Sequence, residues 1–220
     1  MRLALVLLAC LPLPALGEDW IVRLGERQIG SVTFETGAKG ALQIASTLDA
    51  TPLGLADGSF TARSFAALTP DGRAVTQYLS ESRSAREARN ISVLTDAGRV
   101  LETQIEPPGE ATALSDPAVV QGVVLNPVEA FARLVTSTDC PDALRYYDGR
   151  RVVAIALAER VEQADGLRCA MDYRVTDGPG HLSPLRFRQV AMELDYSGAG
   201  PFTLRRITMT AAGFSVSLAR

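Results

Sequence analysis

Turn-forming residues punctuate this chain at short intervals, and between them apolar residues alternate with polar ones. Residues 20–24 and 28–34 flank Gly25-Glu26-Arg27, which suits a three-residue hairpin loop. Ser59–Leu68 and Val75–Ser82 are split by Thr69-Pro70-Asp71-Gly72, and Ile91–Thr95 and Arg99–Ile105 by Asp96-Ala97-Gly98. Leu42, Ile44, Ser46 and Leu48 fall on one face of a further strand. Such a chain has few options. Short strands joined by tight turns pair antiparallel, and many in succession curl or close.

The pattern breaks once. Glu106–Pro117 holds three prolines and small polar residues and reads as a linker-like loop, and the stretch 106–126 is expected to mark a junction between two halves of one sheet. Asn126-Pro127 then supplies an N-cap and a first-turn proline. Val128, Phe131, Ala132, Leu134 and Val135 follow at helical spacing, so a helix is expected over about residues 127–137. Alternation resumes with Val153, Ile155 and Leu157 on one face and Val152, Ala154, Ala156 and Ala158 on the other. Two apolar faces predict a central strand buried on both sides. Arg168–Thr176, Val190–Tyr196, Phe202–Ala211 and Phe214–Leu218 complete the set. The expected fold is mainly β, a curled or barrel-like antiparallel sheet with one short helix.

Composition narrows the class. With 47% hydrophobic and 21% charged residues, the chain is an ordinary globular one, and disorder is excluded. A net charge of −3 disfavours nucleic acid as a partner. Lys39 is the sole lysine among 22 basic residues, and the arginines are scattered, so the bias reads as compositional.

Met1-Arg2, the apolar run Leu3–Leu16 and the small residues before Glu18 have the order of a secretory signal peptide. The expected organisation is a leader over 1–17 and a single β-rich domain over 18–220. Cleavage there removes Arg2 and takes the net charge from −3 to −4. Leu7-Leu8-Ala9-Cys10 also looks like a bacterial lipobox. The apolar run before Cys10 is short and continues past it, which favours soluble export to the periplasm over lipid anchoring at Cys10. Export leaves Cys140 and Cys169, an even pair in an oxidising place, and a disulfide is expected. With no CxxC and one histidine, no metal site is expected.

The order Asp116-Pro117, the helix after Asn126, Cys140, Tyr147-Asp148-Gly149-Arg150-Arg151, then Cys169 with Tyr173 four residues on, resembles the bacterial exported family catalogued as domain of unknown function (DUF) family 3108. The early Gly30 and the leader fit that pattern. The resemblance implies a periplasmic, mainly β protein and carries over no activity, cofactor or catalytic residue.

Several constellations have two readings. Asp148-Gly149 is a turn signal, with Arg150 and Arg151 opening the next strand. Those arginines are a candidate anion-binding pair, against the plainer reading that they pair with acids such as Asp142 or Asp172. Arg83, Arg86 and Arg89 at i, i+3 and i+6 suit one polar helical turn or a solvated face. His181, in Gly-Pro-Gly-His-Leu-Ser-Pro, is expected to be an exposed loop residue. Glu193 and Asp195 share a strand face at roughly 7 Å, a separation that inverting glycosidases use, but such acids are routine on a solvent face. The usual nucleophile–base sets are missing. The expected role is therefore non-catalytic, with no cofactor. In one version an apolar ligand or lipid lies in the curl against Val190, Met192, Leu194, Phe214, Val216 and Leu218. In the alternative, the chain is a cell-envelope structural or assembly module acting through protein–protein contacts at sheet edges.

Overall fold

The computed structural model describes residues 16–54, 56–85, 87–181 and 186–220. The expected leader falls mostly outside these residues, Cys10 included; Leu16 and Gly17 open the first strand. Seven strands come first: β1 (Leu16–Leu24), β2 (Arg27–Thr36), β3 (Leu42–Leu48), β4 (Gly58–Leu68), β5 (Ala74–Ser84), β6 (Ala88–Asp96) and β7 (Arg99–Glu106). Helix α1 (Pro127–Thr136) follows. Then come β8 (Leu144–Tyr147), β9 (Val152–Gln163), β10 (Gly166–Asp177), β11 (Gln189–Ser197), β12 (Thr203–Ala211) and β13 (Phe214–Ala219).

All thirteen strands form one antiparallel sheet in the order β7-β6-β5-β4-β3-β2-β1-β13-β12-β11-β10-β9-β8. The two hairpin meanders that the turn signals predict are joined at the centre, where Ile21 faces Ala219 and Leu24 faces Val216. This order puts β7 and β8, consecutive in the chain, at opposite edges. The curl brings these two edges close, with Thr103 Oγ1 on β7 lying 3.1 Å from Tyr147 Oη on β8, and the connection between them places α1 inside the curl.

The local chemistry of α1 explains how it sits there. Asn126 Oδ1 accepts from the backbone N–H groups of Val128 and Glu129, and Glu129 Oε2 accepts from Asn126 N–H, a complete capping box. Asn126 is itself buried, and its Nδ2 donates to Ser64 Oγ on β4 at 2.8 Å, so each buried polar group satisfies the other. The apolar stripe of the helix faces the concave side of the sheet. Phe131 meets Trp20 and Phe34 edge-on at 6.4 and 5.7 Å, and Val128, Leu134 and Val135 are buried. Side chains of this size contribute roughly 1.5–3 kcal/mol each on full burial.

The sheet stays open, since β7 and β8 do not pair with each other. Residues 124 and 125 bridge the gap. Val124 N–H donates to Gly98 O, Leu125 N–H to Arg145 O, and Tyr147 N–H to Leu125 O. The 148–151 turn tucks against the inner face of β6. Gly149 has φ 97°, and a Cβ there would lie 2.5 Å from Ile91 Cγ2, so both conformation and space demand glycine.

The doubly buried central strand is corrected. β9 is next to the edge, and β8 covers only Val152–Ile155. Val152, Val153 and Ile155 are buried, while every residue from Ala156 to Gln163 is exposed, Leu157 at 43%. Apolar residues on both faces described the first part of β9; Ala156 and Ala158 are too small to mark a core. Nor do Arg83 and Arg89 form a helical turn. They lie on the paired strands β5 and β6, and Arg86 lies outside the described residues.

Candidate functional site

The 148–151 turn organises a polar cluster that joins it to Tyr146 of β8, Tyr173 of β10 and His181. Asp148 Oδ1 accepts from the backbone N–H groups of Arg150 and Arg151, both at 2.9 Å, and Oδ2 lies 3.0 Å from Arg151 Nε. Arg151 Nη1 meets His181 Nδ1 at 2.9 Å, and His181 Nε2 meets Tyr173 Oη at 2.6 Å. Tyr173 Oη in turn contacts Tyr146 Oη. β8 supplies Tyr146, β10 supplies Tyr173, and His181, between β10 and β11, is held beside them by an antiparallel bridge with Phe187.

The direction of this chain follows from donor chemistry. A guanidinium only donates, so His181 Nδ1 accepts and the ring proton sits on Nε2, where it donates to Tyr173. Burial, with the Arg151 charge adding to it and Asp148 opposing it, lowers the His181 pKa to about 4, so the ring is neutral at pH 7. Burial likewise raises Tyr173 to about 12 and pushes Tyr146 well up, so neither phenol ionises. A neutral imidazole with both nitrogens committed has no free lone pair to act as a base. The cluster braces the β8–β9 turn against β10. The expectation of an exposed His181 is thereby corrected: its tight Gly-Pro context suits a surface turn, but the residue is half-buried with both ring nitrogens held by Arg151 and Tyr173.

Arg150 points the other way. Its Nε donates to Glu110 O at 2.7 Å, and Nη2 lies 3.1 Å from Glu110 Oε2; Arg89 binds the same carboxylate. Burial, then the neighbouring Arg89 charge, lowers the pKa of Arg150, and Glu110 opposes them. Thr112 Oγ1 donates to Arg150 O and Ser115 Oγ to Gly149 O. Each arginine of the candidate anion-binding pair thus already holds a carboxylate of its own chain. The partners are Glu110 and Asp148, where Asp142 and Asp172 were expected. Glu110 lies in the proline-rich segment that packs along β7, whose path sequence spacing does not reveal.

The six residues expected to line a groove separate into three sets. Val190, Met192 and Leu194 are buried in the core, Val216 and Leu218 pack partly buried beside it, and Phe214 is 57% exposed at the last hairpin. Concavities open elsewhere. A pocket of about 190 Å³ opens at one end of the curl between Leu48, Phe60, Ser46 and Ser82. A groove of about 340 Å³ runs over the outer face of β4–β7, lined by Arg63, Glu81, Asn90, Gln104 and Glu106 among others. Glu193 and Asp195 stand on the outer face of β11, where Arg168 binds both, at 3.5 and 3.0 Å.

Cys140 and Cys169 form the expected disulfide, with Cα atoms 5.6 Å apart. Among the described residues, no group of three or more metal-ligating side chains gathers. Sequence reasoning missed the Tyr146–Tyr173–His181 chain. The signal available was a single histidine downstream of a tyrosine-rich turn, and nothing in its spacing shows that it meets Tyr173 and Arg151. In comparisons with known proteins, no family model, curated protein or solved structure matches the chain.

Proposed function

We propose that the protein is a non-catalytic module of the bacterial periplasm that works through protein–protein contacts on the outside of its sheet. The observation that carries this reading is the seat of α1: its apolar stripe takes the concave face on which an apolar ligand would lie. Binding is thereby directed to outer surfaces and edges. The compartment is supported by the Cys140–Cys169 disulfide, by the leader-like order of residues 1–17, and by the resemblance to DUF family 3108 in the Cys140, Asp148-Gly149-Arg150-Arg151 and Cys169 set.

A second reading, a lipid carrier, is favoured by the pocket beside Leu48 and Phe60 at the open end of the curl. One experiment separates the two. A photo-crosslinking residue is placed in turn at Leu48, Phe60, Leu68 and Phe214 in living cells. Recurrent protein adducts at Leu68 or Phe214 are expected. Lipid adducts confined to Leu48 and Phe60 overturn the assembly reading in favour of the carrier.

A further inference from the structure

The two edges of the sheet are finished differently. Along β7 the 107–119 segment packs in three short 3-10 turns, and Leu125 bridges to Tyr146 on β8. On the other side β8 stops at Leu144, opposite Ile155. Beyond that point the next eight residues of β9, Ala156–Gln163, run along β10 on one side, all but the bulged Ala158 paired with it, and meet, among the described residues, no strand on the other. An edge of this kind presents a row of unpaired N–H and C=O groups that can template an added strand.

The charges around the edge specify the occupant. Glu159 and Glu162 lie on the strand, Asp165 in the turn after it, and Asp139 and Asp142 on the chain entering β8. Against these five acids stands Arg160, already bound to Asp139 at 3.0 Å and to Glu162 at 2.8 Å. Arg168, opposite Val161, is held by Asp195 and Glu193. A second copy of this chain would bring a like-charged edge and be repelled, since like charges directly opposite destabilise a strand pair. A basic strand is attracted. The shift in pairing between Ala170 and Met171 also turns Leu157 towards the inner side, beside buried Met171, and Val161 towards the outer side, beside Arg168. Each face of the edge therefore offers one apolar contact, Leu157 at 43% and Val161 at 41% exposed.

We propose that the free edge of β9, Ala156–Gln163, receives an extended basic segment of a partner protein, with alternating cationic and small apolar residues, by strand addition. This rests on the assembly role proposed above and names its place and the chemistry of its partner.

The test uses amide hydrogen exchange on the purified chain. The probes are a short peptide of alternating lysine and valine and its glutamate–valine counterpart. The lysine peptide is expected to slow exchange across 156–163 by about tenfold and to leave β7 unchanged, because added backbone bonds close the open groups. The double variant Glu159→Lys/Glu162→Lys, with an unchanged melting curve, is expected to lose that protection and gain it with the glutamate peptide. Protection by neither peptide, or equally by both, overturns the proposal. So does protection that grows with protein concentration alone, which would assign the edge to a second copy. Crosslinks to proteins at Leu68 or Phe214 together with an unprotected edge would leave the assembly role standing and refute only this site.

Discussion

The first four residues of β9 and the eight that follow run in one strand against one partner, β10, yet they live in different environments. Val152–Ile155 have β8 on their open side and the tyrosine–histidine chain across the inner face: Tyr146 faces Val153, and Tyr173 faces Ile155. Ala156–Gln163 have neither. What stands there instead is covalent. Cys169 on β10 lies opposite Arg160 in the free half and is bonded to Cys140, on the chain just before β8 begins. The same strand is thus held by packing at one end and by a staple in its partner at the other. Backbone pairing to a single neighbour does not by itself decide how much a strand contributes.

The largest expected effect breaks the packed half. Ile155→Ala removes a side chain 2% exposed and flanked by two strands, and should cost about 4 kcal/mol in urea unfolding. A loss under about 1 kcal/mol would mean that this half is no better packed than the free one. Next comes the staple. Cys140 and Cys169 are 29 residues apart, and opening a loop of that size should cost roughly 3–4 kcal/mol in the chain-entropy account. Cys140→Ser and dithiothreitol should lower the melting temperature by the same amount, and together by no more than either alone. An unchanged melting curve in both would remove the disulfide from the comparison.

The third effect tests the polar chain beside the packed half. The folded pKa of His181 is about 4, below the usual value for a free histidine near 6.5. As pH falls through that window the unfolded chain takes a proton that the folded chain refuses, so stability drops with acid. Between pH 7 and pH 5 this amounts to about 2 kcal/mol. The difference between wild type and His181→Gln should shrink by that amount across the same interval. A difference independent of pH would mean that the ring titrates freely in the folded state.

How much of this was legible in the residues depended on how far apart the interacting groups lie. Strand boundaries, the Asp148-Gly149 turn and the Asn126 cap are set by neighbours in sequence, and the expected mainly β sheet with one helix at about 127–137 appears with α1 at Pro127–Thr136. The Glu110–Arg150 pair and the His181 contacts were not legible, because Glu110 and Arg150 are 40 residues apart and Arg151 and His181 are 30 residues apart in the chain and meet only through the tertiary fold. The position of β9 misled for a related reason. Its apolar alternation continues through Ala156, Leu157 and Ala158, but burial stops where β8 stops, and the length of a neighbouring strand is invisible in the strand it covers.

Leu157→Ala gives the smallest expected effect and bears most directly on the contrast between the two halves. Leu157 lies two residues beyond Ile155 on the inner side of the same strand, opposite buried Met171. A residue 43% exposed gives up only part of its transfer free energy on truncation, and solvent fills the space, so no cavity cost is added. The expected loss is under about 1 kcal/mol in the same urea experiment. In the presence of the lysine–valine peptide, however, Leu157 becomes one of the two apolar contacts of the edge, and its truncation should weaken protection of 156–163 while leaving the free protein nearly unaffected. A residue that matters little to folding and measurably to strand addition is what a receptive edge requires. If Leu157→Ala destabilises the free chain as strongly as Ile155→Ala, the outer half of β9 is core by another route, and the distinction between packed and receptive halves fails.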